Sequence, residues 1–312
     1  MNVIVQNHKP SRNVARGIVL AFVLSLPFML PSVQPVLLAQ EANGRNIMQQ
    51  VDDNQRASSD SAFNRMQLST CRFGVSDGRI TCAERARVKL LESVGKNYGL
   101  NLKDSKGVTL ILEPADERGI GMLSYTYDDP QRDNETWLYL SALGRVKRIA
   151  SGNSDDNTEP ASLFGSEFTT EDTDTGKLDE YAITILQESN EAGREVWLIE
   201  MVPNAERARK TRYARTVNYV DKERFVVIRA DMYDRNDNEV KRMLASRVEQ
   251  VNGIWLARSI TMMNLVSNRL SNMAFLEINT GVAVSDEFLT QRTLTDVAFR
   301  ETELEKLRAQ VQ

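Results

Sequence analysis

From Phe63 to Ile278 the chain repeats one pattern: a short run rich in branched and aromatic residues, a polar turn, then another run. Few helices stand between these runs, and no βαβ pattern appears. A parallel pair needs a crossover of about a dozen residues or more, whereas an antiparallel pair closes through a tight turn. The pattern therefore confines this region to an antiparallel meander, of about ten strands in one β domain. Phe63 to Cys71 and Ile80 to Leu91 are expected to pair across Val75-Ser76-Asp77-Gly78. Val108 to Glu113, Gly119 to Tyr127 and Trp137 to Leu140 follow as single strands. Three hairpins come next: Tyr181–Glu188 with Arg194–Val202, Thr216–Val220 with Arg224–Met232, and Lys241–Gln250 with Gly253–Leu265 across Asn252-Gly253. Arg269 to Ile278 is the last long strand. Ile47, Met48 and Val51 at helical spacing predict a short helix over Asn43–Asn54, and Leu304 and Leu307 one over Glu301–Val311.

Residues 1–39 have a different character. Lys9, Arg12 and Arg16 precede an interrupted apolar run and then Val36-Leu37-Leu38-Ala39, with no acidic residue. This reads as a secretory signal cleaved near Ala39. Pro27 and Pro31 break the run below the ~20 residues a spanning helix needs, and a retained anchor is the alternative. The expected layout is a signal over 1–39, a helix within 40–60, a β domain over 61–296 and a helical tail over 297–312. Loss of the signal takes the net charge from −4 to −7, which does not suit a general nucleic-acid or anionic-membrane binder.

The only histidine, His8, lies within that signal. The remaining chain can build no Ser-His-Asp or Cys-His machinery and no His-ligated zinc site, so a non-enzymatic role without metal or cofactor is expected. Cys71 and Cys82 are bound for an oxidising compartment, where a disulfide is the default. The four-residue turn sets them directly opposite each other, as a staple of the first hairpin. Glu171, Asp172, Asp174, Asp179 and Glu180 lack the spacing of a calcium loop and read as a solvated acidic stretch. Arg207, Arg209, Lys210, Arg212 and Arg215, with Arg145, Lys147 and Arg148, read either as solubilising surface or as a docking patch for an anionic headgroup or acidic partner.

The order of several motifs resembles the outer-membrane lipoprotein-sorting protein family, the LolA/LolB-like carriers of the Gram-negative periplasm. The residues are Trp137-Leu138-Tyr139-Leu140 followed by Ala142 to Ile149, Gly165-Ser166-Glu167-Phe168 with Glu171-Asp172, and Val220-Asp221-Lys222-Glu223. Tyr233-Asp234, and Gly253-Ile254-Trp255 leading into Thr261-Met262, complete the set. The resemblance runs from about Ile47 to Leu294. It implies a curved, incompletely closed antiparallel β-barrel whose concave face is covered by a few short helices and loops. It also implies carriage of lipid or lipoprotein acyl chains, with an RND-type lipid exporter or an outer-membrane acceptor as partner. A periplasmic sensor of the same fold, acting through a protein partner, is the alternative.

An open curved sheet exposes an apolar face, and exposed apolar patches of that size mark binding. Trp137, Tyr139, Trp197, Ile199, Met201, Val226, Ile228, Met232 and Met262 are the candidates for that face, with Phe164 and Phe168 on a lid loop. Unbranched methionine adapts to varied acyl chains. The same residues would read identically if they were only core.

Overall fold

The computed structural model describes residues 34–311 apart from 57–59, 77–78, 100–101, 130, 150–160 and 174–175. The chain order is α1 (Gln34–Arg56), β1 (Ser61–Ser76), β2 (Arg79–Cys82), β3 (Arg87–Tyr98), β4 (Asp104–Glu113), β5 (Gly121–Thr126), β6 (Glu135–Leu140) and β7 (Arg145–Ile149). It continues through α2 (Thr170–Thr173), β8 (Tyr181–Glu191), β9 (Arg194–Pro203), β10 (Arg215–Asp221), β11 (Val227–Tyr233), β12 (Glu239–Val251), β13 (Ile254–Asn264), β14 (Arg269–Thr280), α3 (Gln291–Thr295) and α4 (Val297–Gln310). Most of the expected signal lies outside the described residues. Gln34 to Ala39, its last part, form the start of α1.

All fourteen strands belong to one antiparallel sheet in the order β7-β6-β5-β4-β3-β1-β14-β13-β12-β11-β10-β9-β8, with β2 paired to β1 alone. The meander is thus as the turns predict, except that β1 sits between β3 and the last strand. β7 and β8 are the two ends of the order and do not pair with each other, so the barrel stays open. The basic segment Arg145–Ile149, to which no strand is assigned from the sequence, is the β7 edge strand paired to β6. Its charged side chains protect an open edge.

The sheet curves strongly. Met122 of β5 and Met232 of β11 stand seven places apart in the strand order, about 34 Å on a flat sheet at the usual strand spacing. Yet both pack against one cluster containing Met66, Leu68, Leu91, Ile111 and Met262. That cluster lies on the concave face. Two pieces of chain cover this face. Ile47, Met48 and Val51 of α1 pack on Ile183, Ile185, Ile199 and Val220 at the β8–β10 end. Leu163, Phe164 and Phe168, from the segment joining β7 to β8, pack on the β1–β5 and β13 side.

The opposite face of β1 and β3–β7 is covered by the C-terminal segment. Phe63, Val94, Val108, Leu110 and Leu123 pack there against Phe288, Leu289, Leu294, Leu304 and Leu307. The expected helical tail is therefore a core element. Glu92, fully buried beneath α4, accepts from Arg308 at 2.6 and 3.0 Å and from Arg65 at 3.3 Å. This ties the helix to the sheet.

The Cys71–Cys82 disulfide forms, with a Cα–Cα distance of 5.7 Å. The register differs from the expected one. Cys82 pairs with Phe73 across the hairpin, and Cys71 pairs with Leu270 of β14. The cause is that the chain turns away after Cys82 and starts β3 only at Arg87, which pairs with Thr70. The expected single strand from Ile80 to Leu91 is therefore two strands, and the bridge runs diagonally.

Candidate functional site

The concave face carries an open groove of about 400 Å³. Its floor and walls come from Ala62 and Asn64 of β1, Met243 and Ala245 of β12, Trp255, Leu256, Ala257 and Ile260 of β13, and Phe275, Ile278 and Thr280 of β14. Phe225, Val226 and Val227 close one side. Strand register explains the assembly: Ala245 pairs with Ile260, Ile260 with Met273, Met66 with Phe275 and Asn64 with Ile278, so these side chains share one face. The Asn64 side-chain oxygen is buried beside the groove without a hydrogen bond. Such a group costs free energy until a donor reaches it.

Methionine is concentrated here. Met66, Met122, Met232, Met243, Met262 and Met273 all line or flank the cluster beneath the lid. Among described residues no group of three His, Cys, Asp or Glu is placed to hold a metal.

The lid is held by polar clamps built from the Gly165-Ser166-Glu167-Phe168 and Glu171-Asp172 motifs. Phe164 and Gly165 both have left-handed φ (55° and 71°), which folds the knuckle tightly, and Ser166 Oγ donates to the Leu163 carbonyl at 2.6 Å. Glu167 accepts from Arg269 at 2.9 Å and from Asn264 at 3.1 Å, while its own N–H donates to Ser271 Oγ at 2.9 Å. Lys89 Nζ donates to the Phe164 carbonyl at 2.7 Å. Asp172 accepts from Lys241 Nζ at 2.6 Å, Tyr213 OH at 2.7 Å and the Thr169 N–H and hydroxyl at 2.7 and 2.8 Å. Burial, then the nearby Asp172 and Glu171 carboxylates, hold the Tyr213 phenol far above its ordinary value, so it remains a donor. The expectation of a solvated acidic stretch fails at Asp172. Its side chain is 2% exposed because Lys241 and Tyr213 reach it from the sheet. Asp174 lies outside the described residues.

The candidate residues divide by location. Phe164 and Phe168 form the underside of the lid, in one cluster with Met262 and with Met232 at the margin. Trp197, Ile199 and Met201 lie on the concave face beneath α1, and Val226 lines the groove. Trp137 and Tyr139 do not face the groove. They pair with Leu123 and Gly121, whose side of the sheet is covered by the C-terminal segment. Ile228 also points away, into a cluster with Val196, Leu198 and Val217. A register shift between Tyr219 and Val220 places an extra residue in β11, so Ile228 no longer shares a face with Met232. Met66, Met243, Ala245, Ile260, Met273 and Phe275 were not among the candidates. For Met66, Met243, Met273 and Phe275 the one sequence signal is methionine or phenylalanine recurring at matched positions of adjacent strands, and Ala245 and Ile260 carry none.

The basic residues are mostly in use. Arg207 is buried, Lys210 meets Asp133 at 2.7 Å, and Arg215 lies between Glu200 and Asp237 with its guanidinium over Tyr233.

An incompletely closed antiparallel barrel with a helix and a lid on its apolar concave face is a LolA-like fold, as the motifs led one to expect. The chain belongs to the DUF1329 family: a family model described only as an uncharacterized protein matches residues 103–296, more than half of the chain. It is similar to the crystal structure of a DUF1329 family protein from Desulfovibrio piger, at 24% identity and a TM-score of 0.70 over 82% of this chain and 99% of that one. It is also similar to a putative outer membrane lipoprotein-sorting protein domain from Vibrio parahaemolyticus, at 20% identity and a TM-score of 0.69 over 82% and 99%. A LolA superfamily protein from Nitrosomonas europaea matches at 16% identity and a TM-score of 0.54 over 79% and 97%. No functionally curated protein matches the sequence. Among the described residues no helix is long and apolar enough to cross a membrane.

Proposed function

We propose that this protein is a periplasmic, non-enzymatic carrier that binds lipid or lipoprotein acyl chains on its concave face. The observation that carries the reading is the groove of about 400 Å³, lined by apolar side chains apart from Asn64 and Thr280 and sharing Met243, Ile260 and Phe275 with the methionine-rich cluster that the lid covers. Each methylene buried there contributes about 0.8 kcal/mol. A chain of about fourteen supplies roughly 11 kcal/mol, against an association cost of at least about 4 kcal/mol. The net of about 7 kcal/mol corresponds to a Kd on the order of 10 μM, which is detectable at micromolar concentration and still allows hand-over to an acceptor. Asn64 offers an acceptor for a hydroxyl or amide N–H near the ligand's head. An RND-type lipid exporter or an outer-membrane acceptor would be the donor or recipient of the cargo. The fold likeness to lipoprotein-sorting proteins supports the same reading.

The test is native mass spectrometry of protein purified from periplasm, followed by solvent extraction. A stoichiometric acylated species is expected. Ala245→Trp, which fills the groove from β12, should lose that species while keeping the fold. If neither periplasmic protein nor protein incubated with lipids and lipopeptides at micromolar concentration carries a ligand, the reading fails.

A further inference from the structure

A second cavity lies on the other face of the sheet, between α4 and the β4–β5 turn, with a volume of about 560 Å³. That is within the range, about 300–1,000 Å³, in which proteins hold small organic ligands. Leu110, Leu112, Val297 and Leu304 supply apolar wall, and Arg118 and Arg300 supply charge. Glu113 and Glu301 are the acidic groups of the lining, and the remaining arginine, Arg308, is taken up by Glu92.

Arg300 sets this cavity apart. The residue is 5% exposed. A buried guanidinium requires close, well-aligned partners. Its side chain reaches Glu301 and the Leu294 carbonyl, both at 3.4 Å, longer than the usual N–H···O range of about 2.7–3.2 Å. Other buried charges here are held tightly: Glu92 has Arg308 at 2.6 Å, Asp221 has Arg194 at 2.8 Å, and Asp231 has Arg229 at 2.7 Å. Gly119 makes room for the group. A Cβ at that position would lie 3.3 Å from Nη2 of Arg300, and the backbone there has φ +82°.

We propose that this cavity is a binding site for an anionic amphiphile, with a carboxylate or phosphate head on Arg300 and a short apolar tail along Leu110, Leu112 and Val297. Arg300 presents fixed donors for a planar or tetrahedral oxyanion in a desolvated wall. The apolar wall beside it is incompletely covered: Val297 is 55% exposed. A free inorganic anion would leave that wall wet, and an uncharged lipid would leave Arg300 loosely paired. An amphiphile answers both. The site is separate from the concave groove and does not depend on a ligand binding there.

The experiment is a titration of the full chain, after delipidation, with decanoate and with decyl phosphate. It is followed by the amide shifts of Gly119, Leu112 and Val297. Saturable shifts are expected with both probes. Arg300→Gln should weaken them about tenfold or more, the usual worth of a charge-assisted hydrogen bond. Val297→Asp changes an exposed position, so it tests the site even if the Arg300 variant does not fold. It should weaken binding by a similar factor through repulsion. Ala245→Trp, in the concave groove, should leave these shifts unchanged. Several results would overturn the proposal: no shifts at these amides, shifts indifferent to both outer-face variants, equal shifts with decanol, or equal affinity for inorganic phosphate alone.

Discussion

Phe168→Ala distinguishes a lid from ordinary core. Phe168 is 8% exposed and packs on the methionine-rich cluster with Leu163 and Phe164. Truncating a core phenylalanine costs about 3–5 kcal/mol. The low end applies here, because flexible methionines can partly refill the space. The lid lies in the connection between the two sheet ends, and no strand pair depends on it. The loss of about 3 kcal/mol should therefore fall on lid opening, raising its equilibrium by roughly two decades. Native-state hydrogen exchange reads this directly. The amides of Leu163, Ser166 and Thr170, which donate to Phe168, Leu163 and Ala161 carbonyls at 2.8, 3.0 and 2.9 Å, should exchange about a hundredfold faster. Lid opening exposes little surface, so these amides should exchange with a lower opening free energy and a weaker urea dependence than amides of β1, β13 and β14, which open only with global unfolding. Lid amides that share the opening free energy and urea dependence of the sheet, before and after the substitution, would show that the knuckle unfolds only with the whole domain. The lid argument would then be refuted.

Three further outcomes are expected. Asp172→Asn leaves Lys241, whose side chain is 11% exposed, without its anion. Breaking a buried pair costs about 3–5 kcal/mol, so a urea-measured loss under about 1 kcal/mol would contradict it. Replacing Cys71 and Cys82 with serine removes a bridge between residues separated by 11 positions, worth about 3 kcal/mol by chain entropy. Because β2 pairs only with β1, tryptic cleavage after Arg79 should rise while the main sheet stays protected; equal deprotection of β3 and β14 would refute a local staple. At Asp221, burial raises the carboxyl, but Arg194 and the N–H groups of Glu223 and Arg224 outweigh it, leaving the group below its ordinary value. The folded pKa is therefore lower than the unfolded one, near 3.9. The stabilisation is present above that pH and is lost as pH falls below about 4 toward the folded value. Asp221→Asn should flatten the stability slope between pH 5 and 3, and an unchanged slope would refute it.

The turns made the meander legible. Asn252-Gly253 sits at a tight hairpin with both residues at positive φ, and Ala192-Gly193 does the same between β8 and β9. The lid was legible too, since Leu163, Phe164 and Phe168 are large apolar residues in an otherwise polar stretch. What alternation could not supply was the identity of the faces. Along β1 and β3–β5 both faces are covered, one by the lid and one by the C-terminal segment, which also covers β6, so Trp137 and Met122 look equally like core. Nor could alternation foresee the register shift that turned Ile228 away from Met232. The Cys71–Cys82 pairing was readable from composition and compartment. Its diagonal geometry depended on where β3 begins, which no turn residue marks.

The open seam of the barrel links fold to function more closely than any single residue does. In a closed barrel, access to the interior would require breaking strand hydrogen bonds along a whole ladder. Among the described residues β7 and β8 are both free edges, and Leu163, Phe164 and Phe168, between them in sequence, pack on the concave face. Opening that segment breaks side-chain packing and a handful of clamps, chiefly Glu167 on Arg269 and Asn264, and Asp172 on Lys241 and Tyr213. These clamps also explain why the Gly-Ser-Glu-Phe and Glu-Asp motifs occur together. Glu167 inside the apolar knuckle and Asp172 just beyond it fasten the same side of the segment over the methionines. Clamps to polar side chains can exchange with water, so the cost of release is mainly the burial of three apolar residues. In the proposed carrier, a ligand that covers the same methionines would offset that cost and so couple lid release to loading of the face beneath it.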